Sequence, residues 1–269
     1  MNWTSRIKLR IEGAEDNVPW WVNDKYRLNR FCLEHSIPAP KVSQAWKTPD
    51  DLDFSTAPET FVLKPSVMHS AKGVMLLSQT NDADTYYESL SKRNLSTNEI
   101  RSIQKSVYDA CKFKGSYRLL IEERITSPGN PDAIPLDYKV FCFYDKIGVI
   151  SQINRNTSPK ELLWYDGAFE PLATAENIVS DWDTISVGKP QTPQDPGRMI
   201  DIAIRISKLL KTPFMSVDMF ESSRGPVVGE LTPAPGAAYY GDWYQFSDAL
   251  NLKLGELWDD AADKLSKSK

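Results

Sequence analysis

Residues 214–236 read FMSVDMFESSRGPVVGELTPAPG. Two β-rich runs flank Ser223-Arg224-Gly225, and glycine in last place suits a type I turn followed by a left-handed residue, so a hairpin with a three-residue loop is expected. That loop pairs Glu221 with Val227, Phe220 with Val228 and, further out, Asp218 with Glu230. Side chains alternate faces along a strand, so Ser216, Asp218 and Phe220 share one face and Val228, Glu230 and Thr232 the matching one. Two carboxylates and a hydroxyl then converge. Like charges directly opposite each other destabilise a sheet, and a cation resolves the conflict. A few hard oxygen donors, with positions left for phosphate and water, suit Mg²⁺. The alternative is a pair of solvated acids on an exposed edge hairpin. Pro233, Pro235 and Gly236 follow the acids directly and brace the backbone, as the wall of a site requires and a solvent hairpin does not.

Outward from this hairpin, Met199, Ile202, Ala203, Ile206, Leu209 and Leu210 trace an amphipathic helix ended before Pro213, behind the turn-rich connection 189–197. From about Tyr244 the chain is expected to be helical, with Phe246, Leu250, Leu254, Leu257 and Trp258 as its buried face. Residues 136–144 and 147–154 form a hairpin around Asp145-Lys146, and 127–135 (SPGNPDAIP) is the candidate linker between lobes. In the first half, Leu28, Phe31, Cys32 and His35 mark a helix from Asp24 to Ser36, with His35 in the core. Residues 60–64 and 73–78 read as strands joined by a loop. Ser96 and Glu99 make a capping box for a helix running to about Lys114, and 117–123 reads as a strand.

The chain has 269 residues, 41% hydrophobic and 25% charged, which excludes disordered and fibrous classes and suits one large domain or two lobes. A net charge of −4 without a basic block gives no electrostatic footprint for nucleic acid. Cys32, Cys111 and Cys142 are far apart in apolar surroundings and read as reduced core residues. The first residues lack the apolar core of a signal peptide and nothing reaches 18 uncharged apolar residues, so a cytoplasmic protein without a membrane span is expected. No GxSxG elbow exists and histidines number two, which argues against Ser-His or Cys-His nucleophilic catalysis and against zinc.

The residues carry a resemblance. Glu230-Leu-Thr-Pro-Ala-Pro-Gly236 is similar to the E-x-N-x-x-P-G signature of ATP-grasp ligases, and Asp218, twelve residues earlier, to their first metal carboxylate. In chain order, Asp24-Lys25-Tyr26 resembles the opening D-K segment, Phe61-Val-Leu-Lys-Pro65 the strand-borne lysine, and Leu120-Ile-Glu-Glu123 the hinge under the adenine. Asp137-Tyr-Lys-Val-Phe-Cys-Phe143 with Asn154-Arg155 looks most like the teichuronopeptide-biosynthesis (TupA-like) subgroup, and the likeness spans about residues 20–260.

The resemblance implies an α+β ATP-grasp fold of two lobes with the nucleotide held between their sheets: a short segment 1–23, a first lobe 24–126 and a second lobe 127–269. It implies ATP and Mg²⁺, the metal on Asp218, Glu230 and Thr232. Lys25, Lys64, Ser66, His69, Ser70 and Lys72 would bind the nucleotide phosphates, and Glu122 and Glu123 the adenosine. For Lys25 and Lys72 the alternative is a solvated surface lysine. Lys139 and Arg155 would neutralise charge on the transferred phosphoryl group.

The chain departs from the pattern at Thr232, in place of asparagine, and at Ser216, in place of a basic residue. About twenty residues precede Asp24, so acceptor recognition would fall to the C-terminal lobe, to Trp20 and Trp21, or to a partner protein or second copy. Tyr239, Tyr240, Trp243 and Tyr244 either stack on an acceptor or form core. The implied activity is carboxylate–amine ligation through an acyl phosphate, on small substrates including glycan-linked ones, in surface-polysaccharide or peptide biosynthesis. The rival outcomes are a kinase on the same fold and a nucleotide-binding module without turnover.

Overall fold

The computed structural model describes residues 1–68, 71–131, 133–180, 185–236 and 244–267. Within them the chain divides into two α+β units, one of residues 23–125 and one of residues 1–22 together with 126–269. Helix α1 (Trp3–Ile11), capped by the Asn2 side chain, belongs to the second of these.

In the unit of residues 23–125, α2 (Lys25–Glu34) starts where the Asp24 carboxylate accepts from the amides of Tyr26 and Arg27. Leu28 and Cys32 are buried as its stripe predicts, but His35 caps the end half-buried, edge-on to Phe31 at 4.6 Å, and is not a core residue. Strands β1 (Val42–Trp46), β2 (Thr60–Pro65), β3 (Met75–Gln79), β4 (Thr85–Glu88), β5 (Arg93–Ser96) and β6 (Leu119–Glu123) pair antiparallel in the order β1-β6-β2-β3-β4-β5. Phe61, Leu63, Met75, Leu77, Leu119 and Ile121 form its core with Ile100 of α3 (Thr97–Asp109). The Ser96–Glu99 capping box is present. The helix ends at Asp109 rather than near Lys114, because the Ala110 N–H turns back to the carbonyls of Ser106 and Tyr108 and closes the last turn.

The other unit holds β7 (Asp137–Phe143), β8 (Lys146–Asn154), β9 (Lys160–Asp166), α4 (Thr174–Asn177), β10 (Ile178–Val179), β11 (Ile185–Val187), α5 (Pro196–Leu210), β12 (Met215–Ser222), β13 (Gly225–Thr232), β14 (Gln245–Phe246) and α6 (Asp248–Lys267). Its main sheet runs β11-β9-β8-β7-β12-β13, antiparallel except for β11 beside β9. α5 packs on β7 and β12. Leu250, Leu254 and Trp258 of α6 join Trp3, Phe141, Trp164 and Phe214 in an aromatic-rich core. α1 reaches that core because Gly255 lets the chain start pass: a Cβ there would stand 2.0 Å from the Met1 carbonyl oxygen. Residues 245–246 are strand, not helix, since they pair with β10, and α6 begins only at Asp248.

The decisive hairpin differs from its expected register in an instructive way. Ser222 opposes Gly225 and Phe220 opposes Val227, one residue out of the expected pairing, and Val228 shares the face of Met219. A bulge at Gly229 then restores the alignment, so Asp218 opposes Glu230 and Ser216 opposes Thr232. An extra residue in one strand shifts the register of everything beyond it. Glycine is required at the bulge because a Cβ would lie 2.5 Å from the Phe220 ring. Gly229→Ala is therefore expected to lower stability by about 1–3 kcal/mol through overpacking. Gly197→Ala, whose added Cβ meets only Asp195 Oδ1 at 3.9 Å, should change it by less than about 0.5 kcal/mol. Urea unfolding of the two variants checks the contrast.

Candidate functional site

Register places one polar row across the main sheet. Asp218 on β12 opposes Glu230 on β13 and Lys139 on β7, and Lys139 in turn opposes Ser151 on β8 and Ser151 opposes Trp164 on β9. Cross-strand partners share a face, so Glu230, Asp218, Lys139, Ser151 and Trp164 lie side by side. Two residues along each strand, the same face carries Asp137 on β7 and the pair Ser216 and Thr232. The aromatic core covers the adjoining part of that face, which includes Phe141 and Trp164.

The polar atoms are tightly engaged. Lys139 Nζ donates to Asp218 Oδ2 and stands 4.0 Å from Asp137 Oδ2, the oxygen that accepts from Arg155 Nη2 at 2.8 Å. Ser216 Oγ donates to Asp218 Oδ1 at 3.0 Å. Asp137 Oδ1 and Ser151 Oγ are buried without a hydrogen-bond partner. Burial works against the Lys139 ammonium, but Asp137, Asp218 and Glu230 outweigh it and hold its pKa above the usual lysine range. Burial pushes the Asp218 carboxyl up to about 6; Lys139 opposes that shift while Asp137 and Glu230 add to it. Tyr244, edge-on to Trp164 at 4.9 Å, is pushed up to about 12 by burial.

This set fits a hard divalent cation by the chemistry of its donors, two facing carboxylates and two neighbouring hydroxyls. Three acids, Asp137, Asp218 and Glu230, stand against two basic side chains, Lys139 and Arg155, and a cation would offset the excess negative charge. Among the described residues no three His, Cys, Asp or Glu side chains form an ion cage by themselves. The remaining ligands would have to be hydroxyl, water or phosphate oxygens.

In the unit of residues 23–125, Lys64 and Glu122 are both buried, and Lys64 Nζ donates to Glu122 Oε1 at 2.6 Å. They sit diagonally across β2 and β6, since Val62 opposes Glu122 and Lys64 opposes Leu120, on the face away from Phe61 and Ile121. Glu123 points elsewhere: its Oε2 accepts from the Lys41 N–H at 3.1 Å and ties β6 to the start of β1. Lys25 Nζ donates to the Met68 carbonyl at 2.9 Å. Ser66 is fully buried, its hydroxyl donating to Ser116 O and accepting from the Arg118 N–H, while its own carbonyl receives the Lys25 N–H. That makes Ser66 a strut of the loop base. Lys72 is exposed. His69, Ser70, Tyr239, Tyr240 and Trp243 lie outside the described residues.

The structure thus brings Lys139, Arg155, Asp218, Glu230 and Thr232 onto one face, and Lys64 beside Glu122 on another sheet. Asp137 was not singled out from the sequence, although its position two before Lys139 in a strand carried the signal. Ser151 had no such signal, because only strand pairing puts it in the row, whereas alternation along the strand already set Ser216 on the face of Asp218.

A family model described as TupA-like ATP-grasp matches residues 5–258. No curated protein matches the sequence. Among solved structures, D-alanine–D-alanine ligase from Bacillus anthracis complexed with ATP is similar at a TM-score of 0.55 and 16% identity, over 92% of this chain and 68% of that one. For D-alanine–D-alanine ligase from Helicobacter pylori the values are 0.50, 13%, 88% and 57%. The ATP-grasp ligase PsnB, complexed with a phosphomimetic variant of minimal precursor, Mg and ADP, gives 0.46, 12%, 90% and 58%. The chain therefore spans less than two thirds of the PsnB chain. At these identities the likeness is one of fold, and the fold is ATP-grasp.

A carboxyl raised above its unfolded value, near 4, stabilises the fold while protonated, so the contribution of Asp218 is present at low pH and lost as the pH rises through about 6. Without metal, Asp218→Asn should therefore gain stability relative to the parent between pH 4 and 7. Mg²⁺ should reverse the order near neutrality by stabilising the parent alone. Paired urea titrations read both effects, and a variant that loses relative stability over that interval would contradict the assigned cause.

Proposed function

The chain belongs to the TupA-like ATP-grasp family, and from that premise we propose that it is an ATP-dependent ligase joining a carboxylate to an amine. The observation that carries this reading is the row in which Lys139 bonds Asp218 while Asp218 faces Glu230. Acids opposed in a sheet, with basic side chains beside them, suit the balancing of a polyphosphate and its cation. In the proposed reaction the substrate carboxylate takes the terminal phosphoryl group of ATP and ADP leaves. The amine then attacks the acyl phosphate, the C–N bond forms as the C–O bond to phosphate breaks, and free phosphate and a proton are released.

Mg²⁺, held by Asp218, Glu230 and Thr232, would supply charge neutralisation at the phosphate oxygens. Lys139 stays protonated under the pull of three carboxylates and serves as a fixed positive charge. Arg155, oriented by Asp137, provides a second one, which meets the planar oxygens of a phosphoryl or carboxylate group with paired donors. Lys64, held by Glu122, would be a point charge for the nucleotide phosphates, with Lys25 at the start of α2 and Lys72 in the loop after β2 as further donors. Because ATP provides the driving force, positioning and charge balance are what the protein must contribute.

The substrate pair we favour is an amino acid and a sugar acid or second amino acid, in surface-polysaccharide or peptide biosynthesis. The support for that choice is the family membership. A screen of carboxylates against amines with Mg²⁺, reading ADP and free phosphate together, tests the reaction. Amine-dependent release of both supports the ligase, whereas phosphate retained on the acceptor or no turnover across the panel refutes it. Glu230→Gln is expected to lower turnover by about 100-fold or more, since even outer-shell changes at metal sites cost up to that much. Its metal-free melting profile should stay close to the parent's. Unchanged turnover would remove Glu230 from the metal set.

A further inference from the structure

Arg10, near the end of α1, is 1% exposed and uses every N–H it has. Nε and Nη2 donate to the two Glu15 carboxylate oxygens at 2.9 and 2.7 Å, and Nη2 also donates to Thr212 Oγ1 at 3.3 Å. Nη1 donates to the carbonyl oxygens of Phe214 and Pro233, each at 2.9 Å. The guanidinium lies over the Trp258 ring, 4.2 Å from its centroid. All five donors of the arginine fork are thus engaged.

The two carbonyls sit at one end of the β12–β13 pair. Phe214 lies two residues before Ser216, Pro233 directly follows Thr232, and Ser216 opposes Thr232. Pro233 has no N–H to extend the ladder. Where strand pairing stops, one planar cation bridges both chains and fixes their separation. A lysine at this position brings the charge but a single donor centre, and it cannot span two carbonyls and a carboxylate at once.

We propose that Arg10, locked by Glu15, is a positioning residue for the Asp218, Glu230 and Thr232 oxygens: by clamping Phe214 and Pro233 it sets the strand spacing at which a divalent cation is held. The proposal rests on the reading of those three residues as a metal site. It requires no contact between Arg10 and the cation. Removing one partner of a buried ion pair is destabilising, so cation affinity measured on folded protein, set against that of a variant destabilised elsewhere, separates this role from a purely structural one.

The test measures Mn²⁺ binding by electron paramagnetic resonance, with and without ATP, in folded protein well below its melting midpoint. Arg10→Lys is expected to weaken Mn²⁺ binding about tenfold, the scale of outer-shell changes at metal sites. Leu250→Ala, which opens the core beneath α6 in the same unit, should lose stability yet bind Mn²⁺ as the parent does. Parental affinity in Arg10→Lys, or a loss no larger than that of Leu250→Ala, overturns the proposal. If Arg10→Lys does not fold, Glu15→Gln carries the test: it keeps an amide oxygen for the fork and removes the charge. A smaller loss of affinity in the same direction supports the clamp, and parental affinity overturns it. A parent protein that binds no Mn²⁺ with or without ATP refutes the metal-site reading itself and, with it, this inference.

Discussion

The contact on which the candidate site depends is the one between the Lys139 ammonium and the Asp218 carboxylate. Asp137 and Asp218 are both almost fully buried, and Glu230 faces Asp218 across the hairpin. Removing such groups from water costs several kcal/mol per ion unless charge and hydrogen bonds compensate. Lys139 lies between the two buried acids, Arg155 closes on Asp137 from the other side, and Ser216 takes the second oxygen of Asp218. The balance is incomplete, since three acids face two basic side chains and Asp137 Oδ1 is left without a hydrogen-bond partner. A surplus of buried negative charge of this kind favours a cation without needing a preformed cage.

Holding that row in place is the work of apolar packing on one side and polar bridges at the strand ends. Trp3, Phe141, Phe214 and Trp258 pack in one cluster, with Phe214 and Trp258 nearly parallel at 5.1 Å. The cluster brings α1 and α6 together on the sheet and places Arg10 where it reaches Phe214 and Pro233. Gly229 supplies the other constraint, since the bulge it permits aligns the acids. In the unit of residues 23–125 the same logic recurs at smaller scale. Lys64 and Glu122 neutralise each other inside the sheet, while Ser66 spends its hydroxyl on the chain at 116–118.

Much of this was legible because strands and helix caps leave local marks. The Ser96–Glu99 box and the Asp24 cap start their helices where the sequence indicates, and the spacing of Asp218 and Glu230 marks the paired acids. Other marks misled. Gly225 suggested a register that the turn does not adopt, and the expected pairing of the acids holds only because Gly229 adds the residue the turn leaves out. His35 follows the apolar stripe of α2 yet remains at the surface end of the helix. Tertiary contacts also set Ser66 in the loop base and bring Glu123 to the Lys41 N–H, and no local pattern marks either contact.

The order of motifs, the identity of the charged residues and their alternation along each strand were determined by the sequence alone, because a period of two and a few cap and turn residues are local properties of the chain. Which charged residue meets which was decided only in three dimensions. Lys139 and Asp218 are 79 positions apart, Arg10 and Pro233 are 223 apart, and no local pattern encodes their meeting. Those partners follow from strand order, from one bulge and from the aromatic core that brings α1 onto the sheet, each a consequence of burying apolar surface over the whole unit.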